Sequence, residues 1–309
     1  MIACFVVIQN ISQAQKNVFY KKEFSFFTEN DAYMFRLKDG YYTAGHFLQY
    51  SIAKERNSHK IINRFELGQT MFTTGNRRAV LRREETIDRP YCGYLYAKYV
   101  HEKHVSPEAL FSWNVSIGAT GKWSLAQQLQ EAYHKLLNLY FYPYWETQIP
   151  NAIGVNAGLS YKRTLAASSY AKIVGMAEAN AGMFYTNAKV GGYFCLGAFE
   201  NNNNSALFNT RINNKATVSK REYELFFYFY PQLIAQGYNA TTQGTLFYKT
   251  GAPTITSKPS TIMYQQIFGL VYARPKWTAR IETNYQTKET ALQNRQQRYA
   301  GVQFAYRFN

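Results

Sequence analysis

RYAGVQFAYRFN, Arg298 to Asn309, closes the chain and decides how the rest of it is read. In an extended chain Val302, Phe304, Tyr306 and Phe308 share one side, with Gly301, Gln303, Ala305 and Arg307 on the other. Period-two alternation marks a strand, and here one face is apolar while the other is polar or small. KWTARIETNY repeats the pattern, with Trp277, Ala279, Ile281 and Tyr285 opposite Lys276, Arg280, Glu282 and Asn284. So does INRFELGQTMF, where Phe65, Leu67 and Met71 oppose Arg64, Glu66 and Thr70. In REYELFFYFYPQL, Tyr223, Leu225, Phe227, Phe229 and Leu233 share a face. A sandwich would put such charged faces in water and the aromatic ones in a core. A transmembrane barrel puts the aromatic faces in lipid and the charges in the lumen.

Three features favour the barrel: strands of about ten residues, aromatics gathered near strand ends, and an aromatic-rich last strand. About twelve strands are expected: 21–30, 42–53, 60–72, 90–101, 108–119, 151–164, 168–179, 183–197, 221–236, 261–273, 275–287 and 297–308. An even number returns both termini to the same, periplasmic side. Thr242 to Lys249 reads as a further β extension. Asn201 to Lys220, rich in asparagine, reads as a loop without chemistry.

The 309 residues include Tyr 27, Phe 22 and Trp 4, and the formal net charge is +16. That charge suits nucleic acid or a phosphate-bearing lipid equally well, because arginine forks onto phosphate in either. MIACFVVIQNISQAQ has a short apolar run, Ile2 to Ile8, then Ser12-Gln13-Ala14, a small-x-small cleavage pattern without a positive n-region. The expected division is therefore a signal peptide over 1–14 and a barrel domain over 15–309. Cys92 and Cys195 read as small apolar residues of strands rather than a disulfide framework. No later run reaches the length of a membrane helix, so a membrane-inserted form must be a closed barrel.

If the first strand runs outward, the connections 31–41, 73–89 and 120–150 share one rim, and the unusual residues gather there. Asn30-Asp31 ends the first strand, and Thr43-Ala44-Gly45 begins the second. Gly75-Asn76-Arg77-Arg78, with Arg82 and Arg83 beyond, forms a basic run. Ser124 to Asn138 has the only good amphipathic helical pattern, opened by Ser124 and Gln127 as a capping box. Gln127, Gln130, Glu131, His134 and Asn138 share one helical face. A lone helical histidine is most often structural, and Asn-Asp is most often a turn. The other four histidines, His46, His59, His101 and His104, are expected to lack polar company.

TEND, DGYYTAG, NRR, DRPYCGYLY, QEAYH and PYWETQ, in this order between Phe24 and Gln148, resemble the lipid A 3-O-deacylases. Those are twelve-stranded outer-membrane hydrolases of Gram-negative bacteria with calcium-dependent activity. The resemblance implies an enzyme removing an ester-linked acyl chain, of the 3'-acyloxyacyl type, from lipid A or a related saccharolipid. It implies site residues Asn30, Asp31, Thr43, Gln130 and His134, with Arg77 and Arg78 approaching lipid phosphates. Asp31, Asn30 and Thr43 would hold Ca2+, and His134 would activate water. It further implies a monomer acting on outer-leaflet lipid A or lipopolysaccharide, with no nucleic-acid partner. Two positions depart from the family: Tyr140 stands where a carboxylate can occur, and Ala152 where many members carry glutamate. The rival readings are a serine-dependent outer-membrane phospholipase and a non-catalytic pore or adhesin. Neither a Gly-x-Ser-x-Gly nor a His-Glu-x-x-His motif occurs, which disfavours a serine nucleophile and a zincin. The geometry expected is a helix folded over the barrel mouth, bringing His134 to Asp31 inside the rim.

Overall fold

A computed structural model describes residues 19–34, 40–75, 87–136, 138, 145–215, 221–246 and 255–309. The expected signal peptide, Arg77, Arg78 and Tyr140 lie outside them. Twelve antiparallel strands close into a single barrel. They are β1 (Lys22–Asn30), β2 (Tyr41–Arg56), β3 (His59–Thr73), β4 (Cys92–Ser106), β5 (Ala109–Thr120) and β6 (Ala152–Ala167). The remainder are β7 (Ala171–Gly182), β8 (Tyr185–Ala198), β9 (Glu224–Asn239), β10 (Ile262–Ala273), β11 (Trp277–Gln286) and β12 (Gln297–Phe308). Each strand pairs with its chain neighbours, and β1 meets β12 from Lys22↔Phe308 to Asn30↔Ala300. Closure leaves no unpaired edge, the condition for sheet in hydrocarbon. No helix among the described residues is long and apolar enough to cross a membrane.

The alternation sorts the two faces as the sequence indicated. Phe304, Tyr306, Val302, Ile281, Leu225, Phe227 and Leu233 are exposed on the outer wall. Their neighbours fill the lumen with paired charge. Glu66 accepts from Gln49, Tyr96 and Lys98 at 2.5, 2.7 and 2.6 Å. Glu178 meets Lys189 at 2.8 Å, and Glu23 meets Arg307 at 2.8 Å. Such groups would be costly in lipid and are tolerated here because each finds an opposite charge or a donor. Cys92 and Cys195 are both free thiols and buried.

Two connections differ from the sequence reading. Thr242 and Gln243 belong to a short helix α2 (Ala240–Gln243), and no β extension follows among the described residues. Asn239 sets this turn by accepting the Thr241 N–H at 3.0 Å, a helix cap where a strand was expected. The asparagine-rich segment after β8 is not a solvated loop but a plug. Asn202, Ser205, Ala206, Thr210 and Ile212 are fully buried. Glu224, at the start of β9, accepts from Glu200 N, Ser205 Oγ, Ala206 N and Arg211 at 2.7–2.8 Å. From the wall, Lys60 donates to Asn203 O, Thr210 O and Asn213 Oδ1, while Arg280 donates to Ala206 O and Leu207 O. The plug fills the end of the barrel that carries both termini.

Candidate active site on the outer wall

At the opposite rim the β1–β2 hairpin assembles three oxygen-bearing side chains. Asn30 Oδ1 accepts the Ala32 N–H at 2.7 Å, an Asx turn that tips the chain into a 3-10 turn over Asp31–Met34. Asp31 is buried, and its Oδ2 accepts the Gly40 N–H at 2.7 Å, which closes the hairpin tip. β2 then starts at Tyr41 with a φ of 69° and carries a bulge between Tyr42 and Ala44. The bulge inserts Thr43, whose hydroxyl sits 2.7 Å from that of Thr73 on β3. Bulges re-aim side chains, and here Tyr42 turns into the lumen, donating to Glu29 at 2.6 Å and stacking on Tyr299. The hairpin register therefore sets Asn30 opposite Ala44, with Asp31 and Thr43 next to them in the chain at the same rim.

The helix sits elsewhere than expected. Phe65 and Leu67 on β3 are each 50 % exposed on the outer wall, yet Met71, of the same parity, is only 3 % exposed. Met71 clusters with Ala44, Tyr91, Ala126 and Trp145, so what covers it is α1 (Ala126–Leu136) and the segment after it. Gly93, opposite Met71 on β4, permits the approach: a Cβ there would overlap Ser124 Oγ and Ala126 Cβ. Gln69 Nε2 donates to Ser124 O at 2.6 Å and fastens the helix entry to β3. The helix thus lies along the outside of the barrel wall, not over its mouth. The reason is apolar: Ala126 packs onto outward Ala44 and Met71 instead of reaching a lumen filled with charge.

Ala126, Gln130 and His134, at four-residue spacing, are the buried stripe of α1, while Leu129, Tyr133 and Leu136 are exposed on its other side. Gln130 Oε1 accepts the indole N–H of Trp145 at 2.9 Å, and that ring packs on Tyr91. The expected capping box does not form. Leu125 adopts a left-handed φ of 58° between a 3-10 turn (Gly121–Ser124) and the helix. Ser124 Oγ consequently donates back to Gly121 O, and Gln127 Nε2 reaches Glu131 at 2.9 Å.

Register places Asn30, Ala44, Met71 and Gly93 side by side on β1, β2, β3 and β4, a single outward row at the rim. The helix starts over its Gly93 end, and Asp31 follows Asn30 at the other. Directly below runs a polar outward row, Thr28, His46 and Gln69. His46 does have polar company, since its Nδ1 lies 3.1 Å from Thr28 Oγ1. Likewise His101 meets Asn63 at 3.0 Å and His104 meets Glu102 at 3.1 Å. For His46 and His101 the partner lies on a neighbouring strand, close in register but distant in sequence, whereas Glu102 lies two residues before His104 on the same face of β4 and was overlooked. Ala152 opens β6 opposite Thr120 and is buried.

The DRPYCGYLY motif carried the resemblance, but no role was read for its Asp88 and Arg89. Asp88 Oδ1 accepts from Thr74 Oγ1 and Gly75 N at 2.5 and 2.9 Å, and Oδ2 from Tyr41 OH and Asn294 Nδ2 at 2.6 and 3.1 Å. Arg89, fully buried, pairs with Glu289 at 2.8 Å and lies over the Phe72 ring at 3.9 Å. Together they tie three rim connections to the start of β2. Gly40, whose N–H holds Asp31, is wedged between Gly75 and Arg295, so the hub reaches the site through backbone. The only sequence signal was a buried-type Asp-Arg pair beside a proline in a rim loop.

Among the described residues no group of three or more His, Cys, Asp or Glu side chains could hold a metal ion. The oxygens available to a hard cation are the Asp31 carboxylate and the neutral oxygens of Asn30 and Thr43, a donor chemistry that suits calcium better than zinc.

A profile of the family described as "Outer membrane protein LpxR" matches residues 1–308. Among solved structures, LpxR from Salmonella typhimurium superposes with a TM-score of 0.75 at 18 % identity, covering 93 % of this chain and 100 % of that one. The β domain of the Bordetella autotransporter BrkA gives a TM-score of 0.49 at 8 % identity, covering 94 % and 100 %. The KdgM porin gives 0.40 at 7 %, covering 93 % and 99 %. No curated protein sequence matches. A whole-length profile match and a shared twelve-stranded barrel agree with the motifs between Phe24 and Gln148: the chain is an outer-membrane protein and belongs to the lipid A 3-O-deacylase family of outer membrane protein LpxR.

Proposed function

We propose that this protein is a calcium-dependent hydrolase that removes an ester-linked acyl chain, of the 3'-acyloxyacyl type, from lipid A or a related saccharolipid. The observation that carries the reading is the outward rim row. Asn30 and Gly93 stand three strand spacings apart, about 14 Å. From Ala126, seated at the Gly93 end, eight residues of helix rise about 12 Å to His134. A helix running across the strands along this row would carry His134 toward the Asn30–Asp31 end. The site would open to the outer leaflet, where a lipid ester can enter laterally from the membrane.

In this reading His134 takes the proton from a water as that water attacks the ester carbonyl. The charge moves to the carbonyl oxygen and returns as the ester C–O bond breaks. His134 then gives its proton to the departing alkoxide, releasing a hydroxyl and a free fatty acid. Gln130, one turn earlier and fixed by Trp145, orients the base or the water. Asp31, with Asn30 and Thr43, would hold Ca2+, which when bound supplies Lewis-acid polarisation of the ester carbonyl. Arg77 and Arg78 would meet the lipid phosphates, where arginine makes paired charge-assisted bonds. A pore is disfavoured because the plug fills the terminal end of the lumen.

The test is mass spectrometry of lipid A from cells with and without the protein, alongside the Asp31→Ala and His134→Asn variants. Loss of the mass of one acyloxyacyl group should follow the wild type alone and vanish with a calcium chelator. Lipid A of unchanged mass with the folded wild type present would refute the reading.

A further inference from the structure

The outer wall below the candidate site is not a plain convex surface. A cavity of about 860 Å³ opens there, and its lining is almost wholly apolar. The size lies within the range of small-ligand sites. Its position follows from register. Beneath the rim row and the polar Thr28–His46–Gln69 row lie Leu48, Leu67, Ala97, Ile117 and Val155, paired in sequence across β2 to β6. Ala97 is the small residue of this row, and Ala157 and Ala181 line the cavity one row further down, on β6 and β7. Two residues further along each strand, Phe24, Tyr50, Phe65 and Tyr99 form a continuous aromatic row across β1 to β4. Phe65 and Tyr99 pack ring to ring at 5.2 Å. On β2 this floor is six residues from Ala44, about 20 Å along the strand.

We infer that this groove receives the acyl chain of the substrate's scissile ester, and that the aromatic row sets how long a chain fits. The inference rests on the hydrolase reading for the identity of the chain. The order of chemistry down the wall supports a single occupant: metal-type oxygens and the helix at the rim, then a polar row, then an apolar trough, then the aromatic row of β1 to β4. A lipid with a polar sugar ester and a linear hydrocarbon presents the same order. Bulk phospholipid covers the rest of the wall but needs neither the trough nor the register with the site.

The experiment uses the full-length barrel in detergent with saccharolipids that differ only in acyl-chain length. Binding is read by native mass spectrometry and turnover by product release. Ala97→Phe fills the trough beneath the site. It should lower the long-to-short ratio of both binding and kcat/KM by at least about tenfold, since each methylene in an apolar pocket carries an effect of that order. Phe65→Ala with Tyr99→Ala opens the floor and should move the ratio the other way. Leu233→Phe, on the outer wall of β9, should leave it unchanged. Heat-modifiable gel mobility confirms that each variant is folded. Unchanged ratios in both groove variants overturn the proposal, as does displacement of phospholipid alone. A wild type that binds with the expected chain preference yet releases no fatty acid would break the hydrolase reading and leave the groove standing.

Discussion

The two ends of the barrel handle buried polarity in opposite ways. At the end that carries the termini, one segment folds inward, and its backbone is satisfied by Lys60, Arg64, Arg280 and Glu224. These charges hold the segment that closes the lumen. At the other rim, Asp88 and the Arg89–Glu289 pair tie loops to one another, and the helix is laid outside the wall. That arrangement sets Gln130 and His134, on the buried stripe of the helix, at the outer wall of the same rim as Asn30, Asp31 and Thr43. Filling the lumen with a plug at one end and with paired charge along its length makes the interior unavailable. The proposed site for lipid accordingly lies on the outer face.

The largest effect should come from the base itself. His134→Ala ought to lower turnover roughly 100- to 10,000-fold, the usual contribution of a positioned acid–base group, with little change in barrel folding. Release of fatty acid from purified lipid A measures it. Turnover within a few-fold of wild type would leave the helix with a structural role only.

At the terminal end the expected consequence is stability without loss of chemistry. Glu224→Ala strips Arg211, with its guanidinium buried, of its partner and leaves three further donors unsatisfied. Breaking such a pair costs about 3–5 kcal/mol. Urea unfolding should show that loss, and planar-bilayer recordings should show ion conductance absent from the wild type. Deacylation should persist. Loss of activity with an intact plug would mean that the two ends are coupled, against the division drawn above.

A smaller effect is expected at the rim hub. Asp88→Ala removes the acceptor for Thr74, Gly75, Tyr41 and Asn294, and loosens the backbone that presents Asp31 and Thr43. Displacements near 1 Å can cost about 100-fold in rate, so kcat should fall by that order with KM less affected. Asp88→Asn keeps Oδ1 for Thr74 and Gly75 and should recover part of the rate. Equal losses in both variants would argue that the negative charge itself, rather than positioning, is what matters.

Much of the fold could be read in the sequence because outward residues alternate with such regularity. Val302, Phe304 and Tyr306 face lipid for the reason the pattern suggests. The placement of Asn30, Asp31 and Thr43 at one rim was legible because a hairpin brings neighbours in sequence together. The helix position was not legible. Met71 fits an outward pattern whether lipid or Ala126 covers it, and exposed Leu129, Tyr133 and Leu136 give α1 a second apolar side. The plug was hidden for a different reason: Asn201 to Asn204 reads as solvated polarity, and its acceptors are filled by lysine and arginine from strands far away in the chain. Arg89 and Glu289 are likewise 200 residues apart, so nothing local marks them as partners.

The smallest effect expected is at the margin of the plug. Lys215 meets Glu55 at 2.7 Å, but its side chain is 72 % exposed and that of Glu55 is 29 % exposed. Water and salt screen such a pair, and holding a long lysine in one rotamer offsets part of the attraction. Lys215→Ala should therefore change stability by no more than about 1 kcal/mol, with no conductance and no change in turnover. Contrast with Glu224 makes this informative, since both residues hold the same segment and differ mainly in their access to water. The comparison is best made in urea at low and high salt, where the small contribution of Lys215 should shrink further. A loss matching that of Glu224→Ala would mean that the plug is pinned at its exposed margin, and the buried network around Glu224 would lose its assigned role.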